Sequence, residues 1–286
     1  MPRSLGTAWI SLAAVVIAAA PVSLHAQDST QVAPDSATIR KHKKLFTHRD
    51  VVMAGVWAGT TILLTPLDKH LAHELQDPSV QANKFLGTVS KRVEYIASPG
   101  AYFIGGSLYV VGRLARQPRI ADLGWHGTEA VLMGELTSYL IKGTVGRARP
   151  FVTIDDPDDF KFGGGFGKHA STSFPSGHST ASFAFATLVT LETHHWKPSS
   201  TWYVAPVMFG GATLVGLARL YSNAHWASDV VMGAGVGTFT ALEVYRYNHV
   251  TSRHNRVNRW LLSAVPSVSP NVNGGATLGW SVTAPR

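Results

Sequence analysis

The chain has 286 residues, 45% hydrophobic and 15% charged, with a formal net charge of +8. That composition can bury a core and excludes a disordered polymer, while the scattered Lys and Arg residues, with no basic run interleaved with aromatics, point away from nucleic acid as a partner. There is no cysteine, which excludes disulfides, thiolate metal sites and a Cys nucleophile.

Residues 1–26 read as an export signal. Arg3 gives the positive start, Ile10 to Ala20 the apolar stretch, and Leu24-His25-Ala26 a cleavage end before Gln27. Residues 27–50 form a polar, then basic, tail with Arg40, Lys41, Lys43, Lys44 and Arg49. Six apolar stretches follow, at 51–67, 95–112, 130–141, 179–191, 203–218 and 230–242. Their length, their Ala/Leu/Gly/Val mix and the lack of strict alternation predict helices, so the expected body is an all-α six-helix bundle over 51–250. Between the third and fourth stretches, Asp155 to Asp159 and Gly163-Gly164-Gly165 predict a long solvated loop. In the extension 251–286, Leu262, Ala264, Val268, Ala276, Leu278, Trp280 and Val282 alternate with Ser, Thr and Gly around Asn273-Gly274-Gly275. This pattern predicts a short C-terminal β-hairpin.

Whether the helices cross a membrane is balanced in the sequence. Stretches 51–67 and 95–112 approach the ~20 apolar residues of a span. If all six crossed behind a cleaved signal, the third and fifth connections would face the cytoplasm. The basic segments (the N-terminal tail, 113–119 and the region after Tyr247) claim that side instead. A soluble or peripherally bound periplasmic bundle removes the conflict and is the favoured expectation, with membrane association as the alternative.

Three clusters carry chemistry. Lys142 and Arg149 are seven apart, two helical turns, so one face could present both before Pro150 stops the helix. Two such cations can clamp a phosphate, Lys as a point charge and Arg as a planar fork. Pro175-Ser176-Gly177-His178 stands where a Gly/Ser-rich loop meets an apolar run. There the backbone N–H groups of a helix start, at Ser176 and Gly177, would hold an anion beside an imidazole. Arg219 is followed by His225 and Asp229, four apart, so that one helical face could let the carboxylate orient the imidazole. Taken singly, each cluster also has a plain structural reading: a basic helix end, a capped helix with an incidental histidine, a structural His–Asp pair. Glu135, seven before Lys142, could pair with it. Arg147 is read as facing solvent or a head group, and Tyr221 and Trp226 as packing residues. His70/His73 and His194/His195 read as helix-end histidines, and no metal site is expected.

Together these residues resemble the three-part signature of the type 2 phosphatidic-acid phosphatase superfamily, which also holds bacterial acid phosphatases and vanadium haloperoxidases. The Lys-x6-Arg-Pro part is complete at Lys142 to Pro150 and the Pro-Ser-Gly-His part at Pro175 to His178. The third part, Ser-Arg-x5-His-x3-Asp, is present as Arg219, His225 and Asp229, with Ala218 where the family has Ser. The resemblance covers about 130–245. It implies a cofactor-free phosphatase. His225 would be the nucleophile that forms a phosphohistidine, with Asp229 as its partner. His178 would be the proton carrier, and Lys142, Arg149, Ser176, Gly177 and Arg219 would hold the phosphoryl oxygens. Vanadate would bind as a phosphate analogue. The implied substrate is a phosphorylated lipid, such as a phosphatidate or an isoprenyl pyrophosphate, or a small soluble ester. The alternatives are a vanadium-dependent haloperoxidase, a soluble non-specific acid phosphatase, and an envelope protein with an inactive site. The implied location is the cell envelope, periplasmic or membrane-associated.

Overall fold

The computed structural model of the chain describes residues 47–97, 99–167 and 169–249, together with the backbone of 264–270 and 276–282. The expected signal segment and most of the basic tail lie outside these residues. The described helices are α1 (His48–Leu64), α2 (Asp68–Gln76), α3 (Pro78–Gln81), α4 (Lys84–Ala97), α5 (Gly100–Leu114), α6 (Pro118–Val145), α7 (Gly177–Trp196), α8 (Thr201–Tyr221) and α9 (Ala227–His249). The six expected stretches are α1, α5, α6, α7, α8 and α9. The fold is all-α in its body, as the sequence predicts. The C-terminal hairpin is present as β1 (Ala264–Pro270) and β2 (Ala276–Val282), antiparallel with Ala264 opposite Val282 and Pro270 opposite Ala276.

Of the helices outside the six expected stretches, α2, α3 and most of α4, the longest is α4. It has no long apolar run. Its apolar residues Phe85, Leu86, Val89, Val93 and Ile96 recur at helical spacing between polar ones, the mark of an amphipathic surface helix. It packs along α8.

Helix α7 is the axis of the bundle and packs against α6, α8 and α9. On one side Phe183 and Ala186 meet Trp57 of α1, Ala212 of α8, and Val231 and Ala234 of α9. On the other, Ala181, Ala184 and Leu188 meet Ala130 and Val131 of α6, and Ala241 and Val244 of α9. The α7–α9 crossing is close because α9 has glycine where it touches. A Cβ on Gly233 would stand 2.4 Å from the Ser176 carbonyl oxygen, and one on Gly237 2.2 Å from that of Thr180. Only glycine admits that approach. It sets the N-terminal ends of α7 and α9 side by side, where the Ser176 N–H donates to the Asp229 carbonyl at 2.9 Å.

The outer faces are apolar. Leu63 of α1 is 78% exposed, Val207 of α8 72% and Trp202 of α8 87%, and α5 and α6 expose further apolar residues, among them Phe103 and Leu136. Among the described residues two helical segments, His48–Gln76 and Pro198–Tyr221, are long and apolar enough to cross a membrane. Many large apolar side chains exposed on these helices are costly in water where they form patches. Their exposure therefore favours membrane association, and within the soluble or peripherally bound bundle expected from the sequence it disfavours the freely soluble form.

Candidate active site

The candidate residues meet at one end of the bundle, in connections and in the terminal turns of α6, α7, α8 and α9. Lys142 lies in the last turn of α6. That helix does not continue to Arg149. It ends at Gly146, whose φ of +64° puts it in the left-handed region, the usual residue and conformation for a helix C-cap. The expected shared helical face of Lys142 and Arg149 is therefore wrong, and Pro150 is not what stops the helix. Arg149 follows in an extended return, its N–H donating to the Ala170 carbonyl. The pair is brought together by Thr172, whose carbonyl accepts from Lys142 Nζ at 3.1 Å and from Arg149 Nη2 at 3.3 Å. Lys142 Nζ also donates to the Pro175 carbonyl, and Arg149 Nη1 to that of Ala224.

The helix-start expectation for Pro175-Ser176-Gly177-His178 holds. Ser176 is the N-cap of α7 and Gly177 its first residue, with the Ser176 side chain accepting from the Ser179 N–H. One detail changes. The Ser176 N–H is committed to the Asp229 carbonyl, so the first-turn N–H groups left without an intrahelical partner are those of Gly177 and His178. Gly177 lies against Lys142 and Glu135. A Cβ there would stand 3.7 Å from Lys142 Cε and 3.4 Å from Glu135 Oε2.

His225 also departs from the helical expectation. It sits in the connection before α9, after Asn223 at φ +56°, while Asp229 is in the first turn of that helix. His225 Nδ1 stands 3.6 Å from Asp229 Oδ2, beyond hydrogen-bond length, and is a buried nitrogen with no hydrogen-bond partner. The Asp229 carboxylate is held by other groups. Its Oδ1 accepts from Arg147 Nη1 at 2.7 Å, and its Oδ2 from Ser173 Oγ and from the Trp226 N–H at 2.9 Å.

Arg147 is the clearest correction. The sequence reads it as facing solvent or a head group, and it does neither: it is only 1% exposed and is committed to two carboxylates. Its guanidinium bridges two buried carboxylates, Asp229 and, through Nη2 at 2.8 Å, Asp68 of α2. Ser228 closes the network by donating its N–H and hydroxyl to Asp68. Asp68, Ser173 and Thr172 were not singled out by the sequence, nor was Glu94, which pairs with Arg219 Nη1 at 2.8 Å. Trp226 and Tyr221 are buried, as packing required. Trp226 also donates its indole N–H to the Ala148 carbonyl.

The electrostatics follow from this crowding. Burial lowers the Lys142 ammonium to about 8, with Arg149 adding to the effect. Burial first, then Arg219, Lys142 and Arg149, push His178 down to about 4. Burial pushes His225 well below its ordinary value, with Lys142 and Arg149 adding to it and Asp229 opposing. Burial works against the Asp229 charge, but Arg147 and the hydrogen bonds from its neighbours outweigh it and hold the acid at about 2. The site thus holds two neutral imidazoles, an ionised Asp229 paired with Arg147, and three further cations, Lys142, Arg149 and Arg219. The Nε atoms of Arg149 and Arg219 are buried donors with no hydrogen-bond partner, and an oxyanion is the group that satisfies such donors. In a proton-resolved titration of the histidines, His178 should titrate near 4 and move up on adding inorganic phosphate or vanadate, whose negative charge offsets the three cations. Titration at 6.5 in the anion-free protein would contradict this arrangement.

Residues 124–253 match the family model described as the PAP2 superfamily. Among similar proteins, a lipid A 1-phosphatase of Porphyromonas gingivalis is 44% identical over 68 residues, 24% of this chain and 14% of that protein. A lipid A 1-phosphatase of Rhizobium johnstonii is 30% identical over 145 residues, 49% of this chain and 56% of that protein. The chain therefore spans less than two thirds of either relative. The bacitracin transport permease protein BcrC of Bacillus licheniformis is 25% identical, with 58% of this chain and 79% of that protein covered. The crystal structure of a transmembrane PAP2-type phosphatidylglycerolphosphate phosphatase from Bacillus subtilis superposes with a TM-score of 0.52. It covers 73% of this chain and 98% of that one at 17% identity, a likeness of fold.

Proposed function

We propose, from the match of residues 124–253 to the PAP2 superfamily model, that this chain is a membrane-associated phosphatase that hydrolyses the phosphomonoester of a lipid through a phosphohistidine on His225. The observation that carries the reading is the convergence of Lys142, Arg149 and Arg219 on two neutral imidazoles, with two buried arginine donors left unpaired.

In this reading the phosphoryl oxygens lie between the three cations and the N–H groups of Gly177 and His178 at the start of α7, where the helix dipole also favours an anion. A neutral His225 nitrogen attacks phosphorus, and the bond to the departing alcohol oxygen breaks. His178 supplies the proton that oxygen takes up. Neutral in the free protein, His178 first takes that proton from the bound phosphate monoanion, once the phosphate charge among the cations makes the imidazole basic enough to hold it. Neutral again after giving the proton to the alcohol, it takes a proton from water as the hydroxide displaces His225 from phosphorus. This releases inorganic phosphate and restores the starting imidazole. Asp229, ionised and fixed by Arg147, stabilises the charge that His225 gains in the attack. Ser176 acts through the backbone, capping α7 and tying it to Asp229. The chemistry is assigned wholly to side chains and backbone, so turnover should withstand a metal chelator.

The lipid reading rests on the apolar outer faces of the helices and on what the relatives are named for. The test is phosphate release by the detergent-purified chain from a panel of lipid phosphates and a soluble aryl phosphate, with and without EDTA. Chelator-insensitive release from a lipid phosphate, and weak or no release from the aryl ester, is the expected result. Release from the aryl ester alone would overturn the lipid assignment, and loss of all release with EDTA in a chain whose circular dichroism spectrum and thermal unfolding are unchanged would overturn the metal-independent mechanism.

A further inference from the structure

The far end of the bundle holds a second cluster of chemically capable groups. His126 lies near the start of α6, Glu192 near the end of α7, and His249 at the end of α9. Along their helices they are 16, 14 and 20 residues from Lys142, His178 and Asp229. At 1.5 Å per residue that is roughly 20–30 Å from the phosphate site. Glu192 is fully buried and His126 is 4% exposed. His126 Nδ1 and His249 Nε2 both stand 2.7 Å from one oxygen, Glu192 Oε1, while Glu192 Oε2 is buried with no hydrogen-bond partner. Burying a carboxylate is costly unless its charge is compensated, and the two imidazoles compensate one oxygen of Glu192 while the other is left without a partner.

We propose that His126, Glu192 and His249 form a structural site for a divalent transition metal, Zn²⁺, that clamps the ends of α6, α7 and α9. The donor set is right for that ion, two imidazole nitrogens and one carboxylate, with water as the fourth ligand. The spacing is close to what is needed. The three ligand atoms lie within 4.8 Å of one another. A tetrahedral shell with bonds of ~2.1 Å puts its ligand atoms about 3.4 Å apart, so the two 2.7 Å contacts need open by less than an ångström. Each imidazole exchanges the proton it points at Glu192 for the metal, as ligation by neutral imidazole requires. Tyr245 and His195 pack against the His249 ring at 4.6 and 4.9 Å between centroids and hold it in place. His194, read from the sequence as a helix-end histidine, is hydrogen-bonded to Thr201, and the ligand set comes from three residues 57 to 123 positions apart.

The inference is independent of the phosphatase reading and is tested without it. The full chain, tag removed, purified in detergent and stripped with chelator, is titrated with ZnSO₄, and bound metal is counted after desalting. One Zn²⁺ per chain is expected. Glu192→Gln, nearly isosteric, and His249→Ala, at the partly exposed edge, should each weaken binding by ~100-fold or more, since even outer-shell changes cost 10–100-fold. Circular dichroism verifies that each variant is folded. His225→Ala should bind zinc as the parent does. Absence of stoichiometric zinc, unchanged affinity in a folded Glu192→Gln or His249→Ala chain, or loss of zinc in His225→Ala would each overturn the assignment.

Discussion

Replacing His225 by alanine should abolish phosphate release, lowering turnover on the order of 10⁴–10⁶-fold, the scale seen when a covalent nucleophile is removed. Loss of a single phosphate-holding group such as Arg219 should cost only about 10²–10³-fold. The variant should nevertheless fold. Asp229, the charge left beside the vacated space, does not depend on His225. It keeps Arg147, Ser173 and the Trp226 N–H as partners, and the imidazole Nδ1 it loses stands 3.6 Å away without a hydrogen bond. Initial rates on a lipid phosphate, alongside a circular dichroism spectrum, check both halves. Retained turnover would remove His225 from the mechanism.

The second large effect is on stability. Arg147→Ala should destabilise the fold by about 3–5 kcal/mol, because it leaves Asp68 and Asp229 buried without the cation that bridges them. Both carboxylates are essentially inaccessible and lie within 2.8 Å of the guanidinium. Arg147→Lys should recover only part of the loss, since one ammonium cannot replace two Nη groups reaching opposite ways. Adding Asp68→Asn to Arg147→Ala should relieve some of the deficit by removing one of the stranded charges. Thermal unfolding in detergent measures all three. An Arg147→Ala chain as stable as the parent would show that the network is not a clamp.

What the sequence disclosed, and what it did not, follows the range of the interactions. The long helices were legible because apolar runs such as 179–191 and 230–242 report burial along one element. The cap at Ser176 was legible because capping is decided within a few residues. The helical register of Lys142 with Arg149, and of His225 with Asp229, misled. The spacings fit helical faces, but the left-handed Gly146 and Asn223 send the chain out of the helix between or beside those residues. The groups that hold the site had no local signal. Asp68 reaches Arg147 across 79 positions and Ser228 across 160. Glu94 lies on an amphipathic helix with no long apolar run. The one sign of Arg147's role was its place between two cations of the motif. There, charge repulsion favours either exposure or a buried acid, and the sequence could not say which.

The glycines of α9 connect fold and site. Gly233 and Gly237 let α7 approach closely enough for Ser176 to hydrogen-bond Asp229. The helix start that would bind phosphate and the carboxylate that would support the nucleophile are therefore fixed by one contact.

The central claim is covalent attachment of phosphorus to His225. Rapid quenching of the enzyme with a radiolabelled lipid phosphate, under alkaline conditions that preserve phosphohistidine, followed by peptide mapping, tests it directly. The account predicts label on the peptide containing His225, absent from His225→Ala. Label on another residue, or turnover with no trapped label and full activity in His225→Ala, would contradict it.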